Sequence, residues 1–83
     1  MAVAVTVYRR DNCLLCIEAE RTIERVVDDL DTTVDVTTYD VDDDSELEAA
    51  YGERVPYVTV EGGVSFEHRV DEERFRAAVE NAA

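Results

Sequence analysis

Lysine and tryptophan are absent from this 83-residue chain; proline occurs once, glycine three times and cysteine twice. All eight basic residues are therefore arginine, and they face 21 Asp and Glu, for a net charge of −13. A small soluble domain usually carries a net charge of magnitude about 2–8. The deficit of positive charge argues against nucleic acid, because binding it begins with Lys and Arg neutralising phosphates. It argues equally against an anionic membrane surface. No run approaches the ~20 consecutive apolar residues of a membrane helix. Met1-Ala2-Val3-Ala4-Val5 lacks the basic flank and length of a signal peptide, so the expected location is the cytoplasm. With no Pro/Gly/Ser-rich linker and no internal repeat, residues 1–83 are read as a single domain.

High net charge raises the question of disorder. Leu, Ile, Val and Phe together number 22 of 83 residues, above the ~20% floor below which disorder is the default. The chain is expected to fold around a light core, with Val and Ala supplying 23 of its 38 apolar residues. A domain this small buries only about 60% of its unfolded surface. The acids are spread along the whole chain rather than gathered in one tail. That distribution, the missing Lys and the small apolar residues resemble proteins of salt-loving archaea. At 1 M salt the Debye length falls to about 3 Å, so crowded carboxylates become tolerable. The competing explanation is an acidic surface shaped for a basic partner.

Ala2 to Tyr8 is Val-rich and β-branched and reads as a buried strand. After the polar stretch Arg9-Arg10-Asp11-Asn12, the spacing predicts a helix from Cys13, with Asn12 as its N-cap. Its apolar stripe is Cys16, Ala19, Ile23, Val26 and Leu30. Val34 to Val41 reads as a second strand. A short helix follows, opened by the capping box Ser45-x-x-Glu48 and closed by Gly52 at the C′ position. Val55-Pro56 leads into a third strand, Tyr57 to Glu61, because proline inside a central strand is disfavoured. Gly62-Gly63 signals a hairpin turn, and Val64 to Glu67 forms the fourth strand. Asp71 caps a last helix, stapled by Val70 and Phe75, with Phe75, Ala78 and Val79 facing inward. The order is βαβαββα: a parallel, right-handed βαβ unit followed by an antiparallel hairpin, giving a four-stranded mixed sheet with helices on both faces.

The chemistry centres on Cys13-Leu14-Leu15-Cys16. At the first strand-to-helix junction of a βαβ unit, CxxC reads as a thioredoxin-like redox motif. Cys13 lies at the helix N-terminus, where free N–H groups and the positive end of the dipole stabilise a thiolate. Cys16 lies one turn on and heads the apolar stripe, which makes it the buried, resolving partner. Surrounding carboxylates work against a thiolate; Arg9 and Arg10, beside the site, oppose Asp11. The rival reading of CxxC is a metal or iron–sulfur carrier, since thiolates are soft ligands. A closed structural zinc site needs four ligands, and the chain offers two Cys and a distant His68, so such a centre would have to be shared by a dimer. A third reading is a redox-inactive adaptor that keeps the fold for protein binding. Asp40-x-Asp42-x-Asp44 resembles the start of an EF-hand loop but has Ser45 and Tyr51 where that loop needs Gly and Glu, and it is read as a solvated loop. His68 is read as an exposed polar residue, and Tyr8 and Tyr57 as flanking the site or packing in the core.

The runs Tyr8-Arg9-Arg10-Asp11-Asn12-Cys13-Leu14-Leu15-Cys16 and Tyr51-Gly52-Glu53-Arg54-Val55-Pro56-Tyr57-Val58 resemble the glutaredoxin-like branch of the thioredoxin superfamily. The likeness is greatest to short glutaredoxin-like chains with a YG-x-R-V-P run before the third strand. This resemblance implies a thioredoxin-like α/β fold and a thiol–disulfide oxidoreductase. It implies Cys13 as nucleophile, Cys16 as resolving cysteine, and Val55-Pro56 as a cis-proline loop facing substrate. It also implies disulfide-containing protein or small-molecule substrates. No cofactor or metal is expected to be bound; a low-molecular-weight thiol or a thiol reductase would serve as reductant, with the chain acting as a monomer. Typical members carry Pro and an aromatic residue between the cysteines, and a Gly-Gly pair with an acid after the fourth strand. Here Leu14-Leu15 and Glu67-His68-Arg69 stand instead. Arg9 or Arg10 is left as the candidate to hold a substrate carboxylate.

Overall fold

The computed structural model describes residues 2–83. The elements are β1 (Val3–Arg9), α1 (Leu14–Asp29), β2 (Val34–Asp40), a single 3₁₀ turn (Val41–Asp43), α2 (Ser45–Tyr51), β3 (Tyr57–Val60), β4 (Val64–Glu67) and α3 (Glu72–Ala82). The expected order βαβαββα is thus realised. The sheet runs β2-β1-β3-β4, with β1 parallel to β2 and antiparallel to β3, and β3 antiparallel to β4.

Alternation along the strands sends Val3, Val5, Val7, Val58, Val60 and Phe66 to one face. There they pack against Ile23 and Val26 of α1 and Phe75, Ala78 and Val79 of α3, forming the core. The other face is thinly covered. α2 buries no residue and reaches the sheet through Tyr51, whose ring stacks 4.1 Å from Tyr8 and 5.0 Å from Tyr57. With Tyr39 stacked 5.7 Å from Tyr8, all four tyrosines of the chain gather on this face. Burial, and then the charge and hydrogen bond of Tyr51, push the Tyr8 hydroxyl above the usual tyrosine range.

Local hydrogen bonding moves several boundaries by one residue. Cys13, not Asn12, caps α1: its backbone is extended, and its Sγ accepts the Cys16 N–H at 3.1 Å. Asn12 instead adopts a left-handed conformation, φ 58°, which Asn tolerates better than most residues. Asp44, not Ser45, caps α2, with Oδ1 accepting from the Glu46 and Leu47 N–H groups at 2.8 and 3.3 Å. A carboxylate one residue earlier outcompetes the hydroxyl. Val41 leaves β2 for the 3₁₀ turn because Asp40 accepts the Asp42 N–H at 2.9 Å and bends the chain; Val41 is fully buried. Gly52 is right-handed, φ −53°. The need for glycine there is steric, since a Cβ would stand 2.5 Å from the Glu48 carbonyl oxygen. Gly62 and Gly63, with φ 102° and 104°, make the hairpin turn, and Asp71 caps α3 through the Arg74 N–H.

Candidate functional site

Parallel strand β1 delivers the chain to the sheet's C-terminal edge, and the turn at Arg10–Asn12 reverses it into α1. Cys13 and Cys16 are disulfide-bonded, their Cα atoms 5.2 Å apart. Cys16 is fully buried at the head of the α1 stripe, whereas Cys13 is half-buried at the helix cap. The Cys16 N–H aimed at Cys13 Sγ is one of the unpaired donors of a helix N-terminus. On reduction it would point at a Cys13 thiolate. Two apolar residues in the first turn of α1 are exposed, Leu14 at 69% and Ile17 at 38%.

Antiparallel pairing sets Tyr57 opposite Tyr8, so Pro56 stands beside the end of β1, where the chain turns toward Cys13. The Val55-Pro56 peptide is cis; Pro56 is buried and Val55 half-buried. His68, read from the sequence as merely exposed, holds this segment twice. Its N–H donates to the Pro56 carbonyl at 2.8 Å, and its ring Nε2 lies 2.9 Å from the Glu53 carbonyl oxygen. Its backbone is left-handed, φ 68°. The signal for this role is present in the sequence: β-pairs counted outward from Gly62-Gly63 reach Tyr57 opposite Glu67, and the next position outward is Pro56 opposite His68.

Arg9 and Arg10 are placed beside the loop, but the protein's own carboxylates engage both. Arg9 meets Glu20 at 2.7 Å, Asp11 at 3.2 Å and Asp40 at 3.7 Å. Burial acts to lower its affinity for the proton; the Asp11 hydrogen bond and the charges of Glu20, Asp11 and Asp40 outweigh it and hold the guanidinium above the usual arginine range. Arg10 meets Asp42 at 3.1 Å and Glu48 at 3.3 Å. Two cations thus face five acids, and the rim of the cysteine loop is net negative despite the paired arginines in its sequence. Among the described residues, no three His, Cys, Asp or Glu side chains are gathered where they could hold a metal ion. No helix of the described residues is long and apolar enough to cross a membrane.

The sequence family described as Glutaredoxin-like domain (DUF836) matches residues 4–80. Among solved structures, the chain is similar to a structural-genomics target protein from X. campestris determined by X-ray diffraction. That likeness has 32% identity and a TM-score of 0.75, over 95% of this chain and 99% of that one. It is also similar to a mutant thioredoxin from Halobacterium salinarum NRC-1, with 26% identity and a TM-score of 0.73 over 96% of this chain and 74% of that one. Thioredoxin-2, a component of malaria parasite protein secretion machinery, shares the fold at 13% identity and a TM-score of 0.77, over 96% of this chain and 82% of that one. No curated protein matches the chain.

Proposed function

The chain belongs to the family of glutaredoxin-like domains designated DUF836, and from that premise we propose that it is a dithiol–disulfide oxidoreductase working through Cys13 and Cys16. The observation that carries this reading is the asymmetry of the pair: an outer sulfur at the cap of α1 receives a backbone N–H, and an inner sulfur is fully buried one turn on.

In the reduced protein the helix N-terminus favours a Cys13 thiolate. That thiolate attacks one sulfur of a substrate disulfide; a Cys13–substrate disulfide forms and the other substrate sulfur leaves as a thiolate that takes up a proton. Cys16 then loses its proton and attacks Cys13 Sγ. This expels the second substrate thiol and closes the Cys13–Cys16 disulfide. Two electrons have passed to substrate, and a low-molecular-weight thiol or a thiol reductase returns them. Val55 and Pro56 are proposed to flank the substrate, supported by the register that sets Pro56 beside the end of β1. Arg9 and Arg10 act in this scheme by holding the loop to α1, β2 and α2, since their charges are already matched. The expected setting is a monomer in a salty cytoplasm.

The test is turnover of a protein disulfide in molar KCl with a thiol reductant. The Cys13→Ser variant is expected to lose activity entirely. The Cys16→Ser variant is expected to accumulate a mixed disulfide visible by mass. Wild-type activity in Cys13→Ser overturns the reading; a metal-loaded dimer inert toward disulfides would favour the carrier alternative.

A further inference from the structure

A second feature lies on the core side of the sheet, away from the cysteines. Between α1 and β2 runs an open groove of about 470 Å³, floored by Val7, Ile23, Val27 and Val36 and bordered along the helix by Glu20, Glu24 and Asp28, with Arg9 lining the end where Glu20 stands. These three acids recur at i, i+4 and i+8, so they form one row along α1 with a rise of about 6 Å between neighbours. Like charges at this spacing destabilise a helix by a few tenths of a kcal/mol per pair. Glu20 is matched by Arg9; Glu24 and Asp28 have no ion-pair partner among the described residues. The opposite wall is β2, an edge strand that pairs with β1 alone. Its other side therefore presents unpaired backbone donors and acceptors, and Val36 is 43% exposed.

We propose that this groove docks an extended basic segment of a partner protein, added as a fifth strand on β2 with arginine or lysine at alternate positions. Backbone pairing to β2 supplies the attachment. Alternate side chains of a strand stand about 6.7 Å apart, close to the spacing of the carboxylate row. A long basic side chain matches the groove at both ends: its methylene stem covers the apolar floor and its charged head meets Glu24 or Asp28. A second copy of this chain is a poor occupant, because it brings the same acidic row and a net charge of −13. This proposal stands independently of the redox reading.

The probe is a blocked hexapeptide of alternating Arg and Val, compared with its isomer carrying the three Arg at one end and the three Val at the other. Both have the same charge and composition, so general attraction to an acidic body cancels. Binding is measured calorimetrically in KCl concentrations at which the protein is folded, and amide shifts locate the site. The alternating peptide is expected to bind at least about tenfold more tightly, with shifts at Val36, Thr38 and Val27. The isosteric double variant E24Q/D28N is expected to abolish that preference, while E73Q/E80Q on exposed α3 positions retains it. Equal binding of the two peptides, equal loss in both double variants, or a dimer closed through β2 overturns the proposal.

Discussion

The His68 N–H donates to the Pro56 carbonyl at 2.8 Å from a left-handed backbone, φ 68°. The end of β4 thereby clasps the segment that leads into β3. Conformation and ring contact can be separated by substitution. His68→Gly keeps φ without strain and loses only the ring's approach to Glu53. His68→Val must place a β-branched residue where even ordinary side chains lose roughly 1–2 kcal/mol. The Val variant is expected to be less stable than the Gly variant by about that amount in chemical denaturation. Exchange protection of the residue-68 amide should fall in the Val variant and persist in the Gly variant.

Salt should act on stability and reactivity together. The loop carrying Cys13 is bordered by five carboxylates and two arginines, and the whole chain carries −13. Raising KCl from dilute to about 1 M shortens the Debye length to about 3 Å. Remoter acids are screened, while the α1 terminus acts at contact range. The denaturation midpoint is expected to rise with KCl, and the pH midpoint of Cys13 alkylation to fall. If both prove indifferent to salt, adaptation to a salty cytoplasm is the wrong explanation of the charge, and a basic partner becomes the better one.

Tyr8 gives a prediction at alkaline pH. Its hydroxyl titrates above the usual tyrosine value because burial, the neighbouring Tyr51, and the nearby rings of Tyr39 and Tyr57 disfavour the phenolate. A group whose folded pKa is raised contributes its full stability below the unfolded value, here about 10. That contribution is lost as pH rises from there through the folded value. Wild-type stability should therefore decline more steeply above about pH 10 than that of Tyr8→Phe, the two being compared by denaturant melts at a series of alkaline pH values.

Phe75 tests the core. It is fully buried, packs edge-on at 6.1 Å to Phe66, and belongs to the single cluster joining α1, α3 and the sheet. Phe75→Ala is expected to cost about 3–5 kcal/mol. Against a total stability of about 5–15 kcal/mol for a domain, that leaves the variant marginal in high KCl and unfolded in dilute buffer. Circular dichroism in the two salts checks it.

The element order, the core stripes of α1 and α3, the β3–β4 hairpin and the position of CxxC at a helix start were all legible in the sequence. Each rests on contacts within a few residues: periodic burial, caps and glycine turns. The shifts at Asn12 and Ser45 are helix caps taken by an adjacent residue, and that at Val41 is a bend made by the Asp40 side chain; such local hydrogen-bond choices only the folded backbone resolves. What the sequence could not contain is the fate of its charges. Arg9 and Arg10 read as cations beside Cys13 that oppose Asp11; Asp40, Asp42 and Glu48, some thirty or more residues on, also close upon them. The tertiary structure also turned Glu20, Glu24 and Asp28 into one wall of a groove by setting α1 beside β2 on the core face of the sheet. Local pattern decided the fold because burial is periodic along the chain; long-range packing decided the electrostatics because ion pairs form between residues that only the fold brings together.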